Sequence, residues 1–378
     1  SGYSKSWDAT FQSKVLLEQD LDFITKGLSI RGSVSFDANS NQYVNRTMSP
    51  ATFTATGRDA DGNLIFKSLE SGSALSNPSS GSSGGNKKIY IEASLNYKRN
   101  FSDKHDVTGL LLYNQKETQK QNVGGLNLLP YRKQSVVGRG SYTYDNRYTI
   151  EGSFGMTGSE NFAPGHRWGT FPSVSAGWRI SSEKFMQPLQ DIVTDLKLRA
   201  GWGMNGNQGG FGNYAYMASM SASKLPVSEG NLYPGLAIRP GSAANKELTW
   251  EKTSQWNLGL DLTMFDSRLS FSVDAYYKKT TDLLLTVSLP ENVVPSSVTR
   301  NDGEMVNKGM EFTVSSQNLK GNFQWNTDFN ISFNRNTVDK LDGSDSMIAT
   351  SGWGVSIGSD DYRAIVGKSI GQIYGYKQ

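Results

Sequence analysis

Two histidines, no cysteine and scattered carboxylates are the chemical resources of this 378-residue chain. His105 falls beside an expected turn and His166 in an expected loop, so neither a histidine triad nor a histidine metal cluster is supported. The absence of cysteine removes disulfides, thiolate zinc sites and thiol catalysis together. Val366-Gly-Lys-Ser369 has the ending of a phosphate-binding loop, but Tyr362 stands where its first glycine belongs. The glycines from Gly201 to Gly212 lack the strand-then-helix frame of a dinucleotide site and read as an ordinary loop. Asp59-Ala-Asp-Gly-Asn63 resembles a calcium-binding turn, with oxygens on Asp59, Asp61 and Asn63, although its spacing departs from the usual calcium loop. The other reading is a plain Asp-Gly turn. Asp261 and Asp274 are a carboxylate pair of the kind glycosidases use. Both fall in the polar phase of neighbouring strands, where solvated wall residues are the better reading. No catalytic residue emerges, and calcium at 59–63 is the one cofactor alternative to none.

The elements that position these groups are read from period-two patterning. Trp256, Leu258, Leu260 and Leu262 alternate with Asn257, Gly259, Asp261 and Thr263. After a short turn at Phe265 to Arg268, Leu269, Phe271, Val273, Ala275 and Tyr277 alternate with Ser270, Ser272, Asp274, Tyr276 and Lys278. Such alternation across a tight turn predicts an antiparallel hairpin with one apolar and one polar face. Similar strands are expected around Phe11 to Leu17, Leu28 to Phe36, Ile89 to Tyr97, Val107 to Tyr113, Val136 to Tyr144, Tyr148 to Met156, Val174 to Ile180 and Leu196 to Met204. A last hairpin ends in the most regular strand, Phe323 to Phe333. The total is roughly twelve strands of about ten residues.

Ala38 to Lys87 reads as a long polar excursion with a mobile Gly/Ser run at Asn77 to Gly85 and room for small strands. Lys120 to Lys133, Asn205 to Lys246 and Ser288 to Lys308 are further expected loops, and the tail from Arg335 reads as loop. Short and long connections alternate along nearly the whole chain, with Ser181 to Asp195 the poorest fit. A soluble sandwich gives no reason for that rhythm. A membrane barrel does, because periplasmic turns are short and extracellular loops long.

Composition agrees. The chain is 36% hydrophobic and 11% aromatic with a mean hydropathy of -0.49, and no run approaches the roughly 18 to 20 apolar residues of a membrane helix. Barrel strands are apolar only at every second position, so low hydropathy is compatible with them. Lys and Arg (38) barely exceed Asp and Glu (35), which argues against nucleic acid. In this reading Trp256, Leu258, Leu260, Leu262, Leu269, Phe271 and Val273 face lipid, while Asn257, Asp261 and Asp274 face the lumen. Tyr97, Tyr144, Tyr148, Phe265 and Tyr277 fall near strand ends, where interfacial girdles belong.

Several runs carry a family resemblance. They include Leu248-Thr-Trp-Glu-Lys252, Trp256-Asn-Leu-Gly-Leu-Asp261 and Ala275-Tyr-Tyr-Lys-Lys-Thr-Thr-Asp-Leu-Leu-Leu285. Arg167-Trp-Gly-Thr-Phe-Pro-Ser173, Ser175-Ala-Gly-Trp-Arg179 and Asn307-Lys-Gly-Met-Glu311 extend the set. Together they resemble the barrel of SusC/RagA-family TonB-dependent transporters, outer-membrane proteins of Bacteroidota. The chain departs from the family pattern at Gly155-Met-Thr-Gly-Ser159.

The resemblance implies an all-β, antiparallel transmembrane barrel of about 22 strands, of which residues 1–378 supply about half. The plug and closing strands are expected outside this stretch. It further implies outer-membrane import of an oligomeric nutrient, with partners in a SusD-like surface lipoprotein, TonB acting through the plug, and membrane lipid. An oligosaccharide is the favoured cargo, on the chemistry of exposed aromatics beside amides; peptide import is the alternative. Trp168, Tyr214, Tyr216, Tyr233 and Trp353 are the loop aromatics nominated for ligand contact. From other classes, a passive porin and a soluble β-rich carbohydrate-binding protein stand as rivals, and no enzyme activity is expected.

Overall fold

A computed structural model describes residues 2–209, 214, 216–227, 231–289, 297–341, 346–349 and 362–373. In chain order its strands are β1 (Tyr3–Asp20), β2 (Leu28–Arg46), β3 (Thr52–Arg58), β4 (Leu64–Glu70), β5 (Ser79–Phe101), β6 (His105–Gln121), β7 (Tyr131–Tyr144), β8 (Tyr148–Ser159), β9 (Trp168–Arg179), β10 (Val193–Asn207), β11 (Ser219–Val227), β12 (Asn231–Ser242), β13 (Glu251–Met264), β14 (Leu269–Ser288), β15 (Ser297–Lys320), β16 (Gln324–Lys340), β17 (Ser346–Ala349), β18 (Tyr362–Ile365) and β19 (Gln372–Ile373). Twelve of them form one antiparallel sheet in the order β1-β2-β5-β6-β7-β8-β9-β10-β13-β14-β15-β16. The remaining seven form the hairpins β3-β4 and β11-β12 and the small sheet β17-β18-β19.

Chain order and sheet order coincide apart from these insertions, so every connection joins neighbours. Turns on one side are short: β5 to β6 and β7 to β8 each need three residues. Asp145 and Asn146 take positive φ, 50° and 54°, the backbone a primed hairpin turn requires and the residue types that tolerate it. The opposite side carries the inserted hairpins and the 43 residues between β10 and β13. The exception at Ser181 to Asp195 persists on the short side, where two short 3-10 turns occupy it.

The wall strands run from 12 to 24 residues, longer than patterning suggests. The expected mobile run at Asn77 to Gly85 is strand from Ser79 onward. Most of the expected Ser288 to Lys308 loop belongs to β15, and β16 continues through Lys340 beyond Arg335. The reason is physical: an apolar band is only about 25 Å tall. Where a strand rises beyond it, both faces meet water and the alternation that betrays a strand disappears.

Two units divide the chain. The first holds Ser1–Val15, Ser33–Ile91 and Lys116–Tyr131. Within it, Phe11 meets Phe36 at 6.1 Å between ring centres, and the β3-β4 hairpin closes through Asp59. That carboxylate accepts the backbone N–H of Asp61 (3.0 Å) and Asn63 (2.9 Å), while Gly62 supplies a φ of 86°. The second unit holds Leu16–Gly32, Glu92–Gln115 and Arg132–Gln378.

In the second unit the register sorts side chains into two faces. One ladder row reads Trp178, Leu198, Leu260, Val273, Phe312 and Ile331 across six strands. The next reads Gly177, Arg199, Gly259, Asp274, Glu311 and Ser332. A slip of one residue would exchange the faces. Among the described residues the apolar face has no second layer: Trp256 and Leu258 are 60% and 55% exposed. Among the described residues, the buried apolar cluster is small and lies elsewhere, around Phe162, Leu248, Trp250 and Leu284. A soluble sandwich would have buried the row instead.

Aromatic residues border this face. Tyr144, Tyr148 and Trp178 form one row near the short turns. Tyr148 and Trp178 donate to Glu183, which also meets Arg147 at 3.2 Å. Rings with an apolar body and a polar tip are suited to a membrane interface.

Candidate functional site

The polar face of β10, β13 and β14 is built around one guanidinium. Arg199 donates from Nε and Nη2 to the two oxygens of Asp261, at 2.6 and 2.9 Å. It also reaches Asp274, with Nη1 3.0 Å from Oδ1 and Nη2 3.1 Å from Oδ2. Ser272 adds a hydroxyl donor to Asp261 at 2.8 Å. Arg199 crosses β13 above Gly259, where a Cβ would stand 2.7 Å from its Cζ and 2.5 Å from Asp274 Oδ1. Glycine here is a matter of space. Both carboxylates are committed to a shared, forked cation, which makes the pair a rigid wall element.

Beside this cluster is an open cleft of about 440 Å³ lined by Gln255, Asn257, Asp274, Tyr276, Lys278, Asn307, Glu311 and Asn334. Tyr276 lies across another glycine: its hydroxyl is 2.7 Å from where a Gly309 Cβ would stand. Amides, carboxylates, a lysine and one phenol face the same space. The arrangement can hydrogen-bond a hydroxyl-rich or amide-rich ligand from several directions.

At the long-connection end, residues 160–167 are tied down by aromatic packing. Phe162 and Leu248 are each 2% exposed, and Phe162 meets Trp250 at 5.3 Å between ring centres. Phe171 approaches the same indole edge-on at 5.5 Å. Trp250 Nε1 donates to the Arg167 carbonyl at 2.9 Å. Tyr214 donates its hydroxyl to Glu160 at 3.1 Å. Burial, reinforced by that bond, pushes its phenol up to about 12.

The nominated aromatics do not form one site. Trp168 opens β9 and is 46% exposed, paired with Gly158. Tyr214 and Tyr216 lie together at 6.3 Å but are only 7% and 8% exposed. Tyr233 lies on β12, and Trp353 is outside the described residues. Asp59 serves its own turn, accepting from Asn63 through both backbone and side chain; among the described residues no group of three acidic or histidine side chains is placed to hold a metal. Sequence reasoning passed over Phe162, Trp250 and Tyr276. The signal for Tyr276 was its place in the polar phase, an unusual location for a large ring.

Comparison with known proteins decides the family. The description "TonB dependent receptor-like, beta-barrel" matches residues 2–374. The chain belongs to this family. As a TonB-dependent receptor barrel of the SusC/RagA type, it is an outer-membrane protein of Gram-negative bacteria, with its apolar face toward lipid and its long connections outside. It is similar to TonB-dependent receptor P39 of Formosa agariphila, 32% identical over 308 residues, covering 75% of this chain and 28% of that one. It is also similar to TonB-dependent receptor SusC of Bacteroides thetaiotaomicron, 36% identical over 217 residues, covering 56% and 21%. The RagAB peptide transporter structure shares the fold, with a TM-score of 0.68 at 22% identity over 97% of this chain and 40% of that one. The TonB-dependent receptor barrel described here thus spans between a fifth and a third of these curated relatives.

Proposed function

We propose that the full-length protein imports a polar oligomer, most readily an oligosaccharide, across the outer membrane in a TonB-dependent manner with a SusD-like surface lipoprotein. Family membership supports the coupling, the plug through which TonB acts and the lipoprotein. The observation carrying the cargo class is the lumen-facing cleft of about 440 Å³, where the amides of Gln255, Asn257, Asn307 and Asn334 surround the Tyr276 phenol. Amides donate and accept together, as sugar hydroxyls require, and a phenol adds a ring beside its own hydroxyl.

Calorimetry on the full-length transporter with its lipoprotein, titrated with an oligosaccharide panel and a peptide panel, tests the reading. Saccharide binding weakened about tenfold by Asn257→Ala with Asn307→Ala is the expected result, a loss of the size of one or two hydrogen bonds. Binding confined to the peptide panel would instead assign a peptide importer.

A further inference from the structure

The second unit carries a polar cleft on the face that meets lipid. Gln134, Gly158 and Trp168 stand in one ladder row across β7, β8 and β9. That row belongs to the same phase as Phe154 and Met156, which are 47% and 37% exposed on the apolar face. Tyr113, also on this face, has its hydroxyl 3.3 Å from the side-chain amide oxygens Oε1 of both Gln115 and Gln134. The row faces away from the lumen.

Its height follows from the strand. Trp178 and Trp168 lie at opposite ends of β9 on one face. At about 3.3 Å per residue and a tilt of about 40°, Trp168 stands roughly 25 Å above the Trp178 girdle. That is the height of an apolar band, so Trp168 sits at the outer interface, on the side of the long loops.

Around Trp168 is a cleft of about 200 Å³ whose charged lining comprises Arg132, Lys133 and Arg167 against the single acid Glu160. Arg132 lies 3.6 Å from Glu160, and the arm of Arg167 is held by a bond from its Nε to the Phe162 carbonyl at 3.2 Å. The indole lies flat across β8 because position 158 is glycine; a Cβ there would stand 3.0 Å from the ring. Arg132, two amides and a flattened indole of the outward phase thus line a cleft at the depth of lipid headgroups, and Lys133 and Arg167, of the neighbouring Ser159 row, border it.

We propose that this cleft binds the headgroup of a phosphorylated glycolipid in the outer leaflet. The arginines supply planar forks that match phosphate oxygens. Gln115 and Gln134 meet sugar hydroxyls, and Trp168 offers its ring at the interface, where indoles partition. Basic pockets at membrane surfaces hold anionic headgroups by the same means. The assignment rests on outward phase and depth and is independent of the transported cargo.

The test uses the full-length transporter in phosphatidylethanolamine nanodiscs containing lipopolysaccharide, dephosphorylated lipopolysaccharide or neither, with retained glycolipid counted by native mass spectrometry. Arg132→Gln with Arg167→Gln is expected to reduce retention of the phosphorylated form about 25-fold, near fivefold for each cation at a membrane surface. Gly158→Val, which displaces the indole without altering charge, is expected to reduce it as well. Strand content by circular dichroism confirms folding, and if the double variant fails to fold, Gly158→Val and Trp168→Leu give the same readout. Equal retention by wild type and the folded variants overturns the proposal, as does equal retention of dephosphorylated lipopolysaccharide. Displacement by millimolar inorganic phosphate alone would assign a free-anion site and overturn the lipid identity.

Discussion

Leu260 offers the most direct trial of which face meets lipid. It sits in the third row position between Leu198 and Val273, while Asn257, three residues away on the same strand, belongs to the polar phase beside Tyr276. Replacing Leu260 by Arg places a guanidinium near the bilayer midplane, at a cost of about 2 to 4 kcal/mol. That is a factor of about 30 to 700 in the folding equilibrium. Asn257→Arg adds the same side chain to the water-facing side of the same strand and is expected to cost under about 0.5 kcal/mol. The assay is denaturant-dependent folding of the full-length barrel into vesicles, followed by tryptophan fluorescence and by gel mobility of unheated protein. Equal destabilisation by the two substitutions would refute the assignment of faces, since only a low-dielectric surroundings on one side distinguishes them.

Three further outcomes are expected. Gly259→Ala pushes the ends of Arg199 and Asp274 aside, and because these side chains are partly exposed the loss is about 0.2 to 1 kcal/mol; thermal melting in detergent measures it, and an unchanged midpoint would show that the fork contributes nothing to stability. Trp250→Phe keeps the ring in the Phe162 cluster but removes the indole donor from the Arg167 carbonyl, which still accepts the Ser159 N–H at 3.1 Å, so the cost is that of one hydrogen bond, about 0.5 to 1.5 kcal/mol. Faster amide exchange at 160–167 is the measurement. Tyr214, raised from 10.0 to about 12, favours the folded state fully below pH 10, and this contribution is lost as pH rises toward 12. Ultraviolet titration near pH 11 should find the difference in ionised phenols between folded and unfolded protein smaller by one in Tyr214→Phe than in wild type.

The candidate site was only partly legible in the sequence. Asn257, Asp261 and Asp274 were placed on the polar face from alternation alone, and the structure puts them there. The loop aromatics were chosen for being exposed rings in polar surroundings, and loops carry no periodicity by which to tell exposed from packed. Hence Tyr214 and Tyr216 turn out buried. Trp168 is exposed, but on the apolar phase of β9, because the strand begins six residues before the patterned stretch at Val174 and so decides its face. Phe162 and Trp250, which hold the mouth together, come from connections 83 residues apart in their hydrogen-bonded partners, Trp250 and Arg167; no local pattern records such a meeting.

Alternation by itself determined the all-β class, the number of wall strands and the two faces, since each is written in side-chain parity within about ten residues. It also determined the lipid-facing reading, because the short and long connections fall on opposite sides. Tertiary structure alone decided how far each strand continues past the bilayer, where parity carries no signal. It also decided which residues share a row. Arg199 meets Asp261 and Asp274 only because three strands pair in one register with Gly259 between them, and the cations about Trp168 gather at the outer interface for the same reason. Register is a property of neighbouring strands, set by turns and packing across the sheet, and a single strand does not contain it.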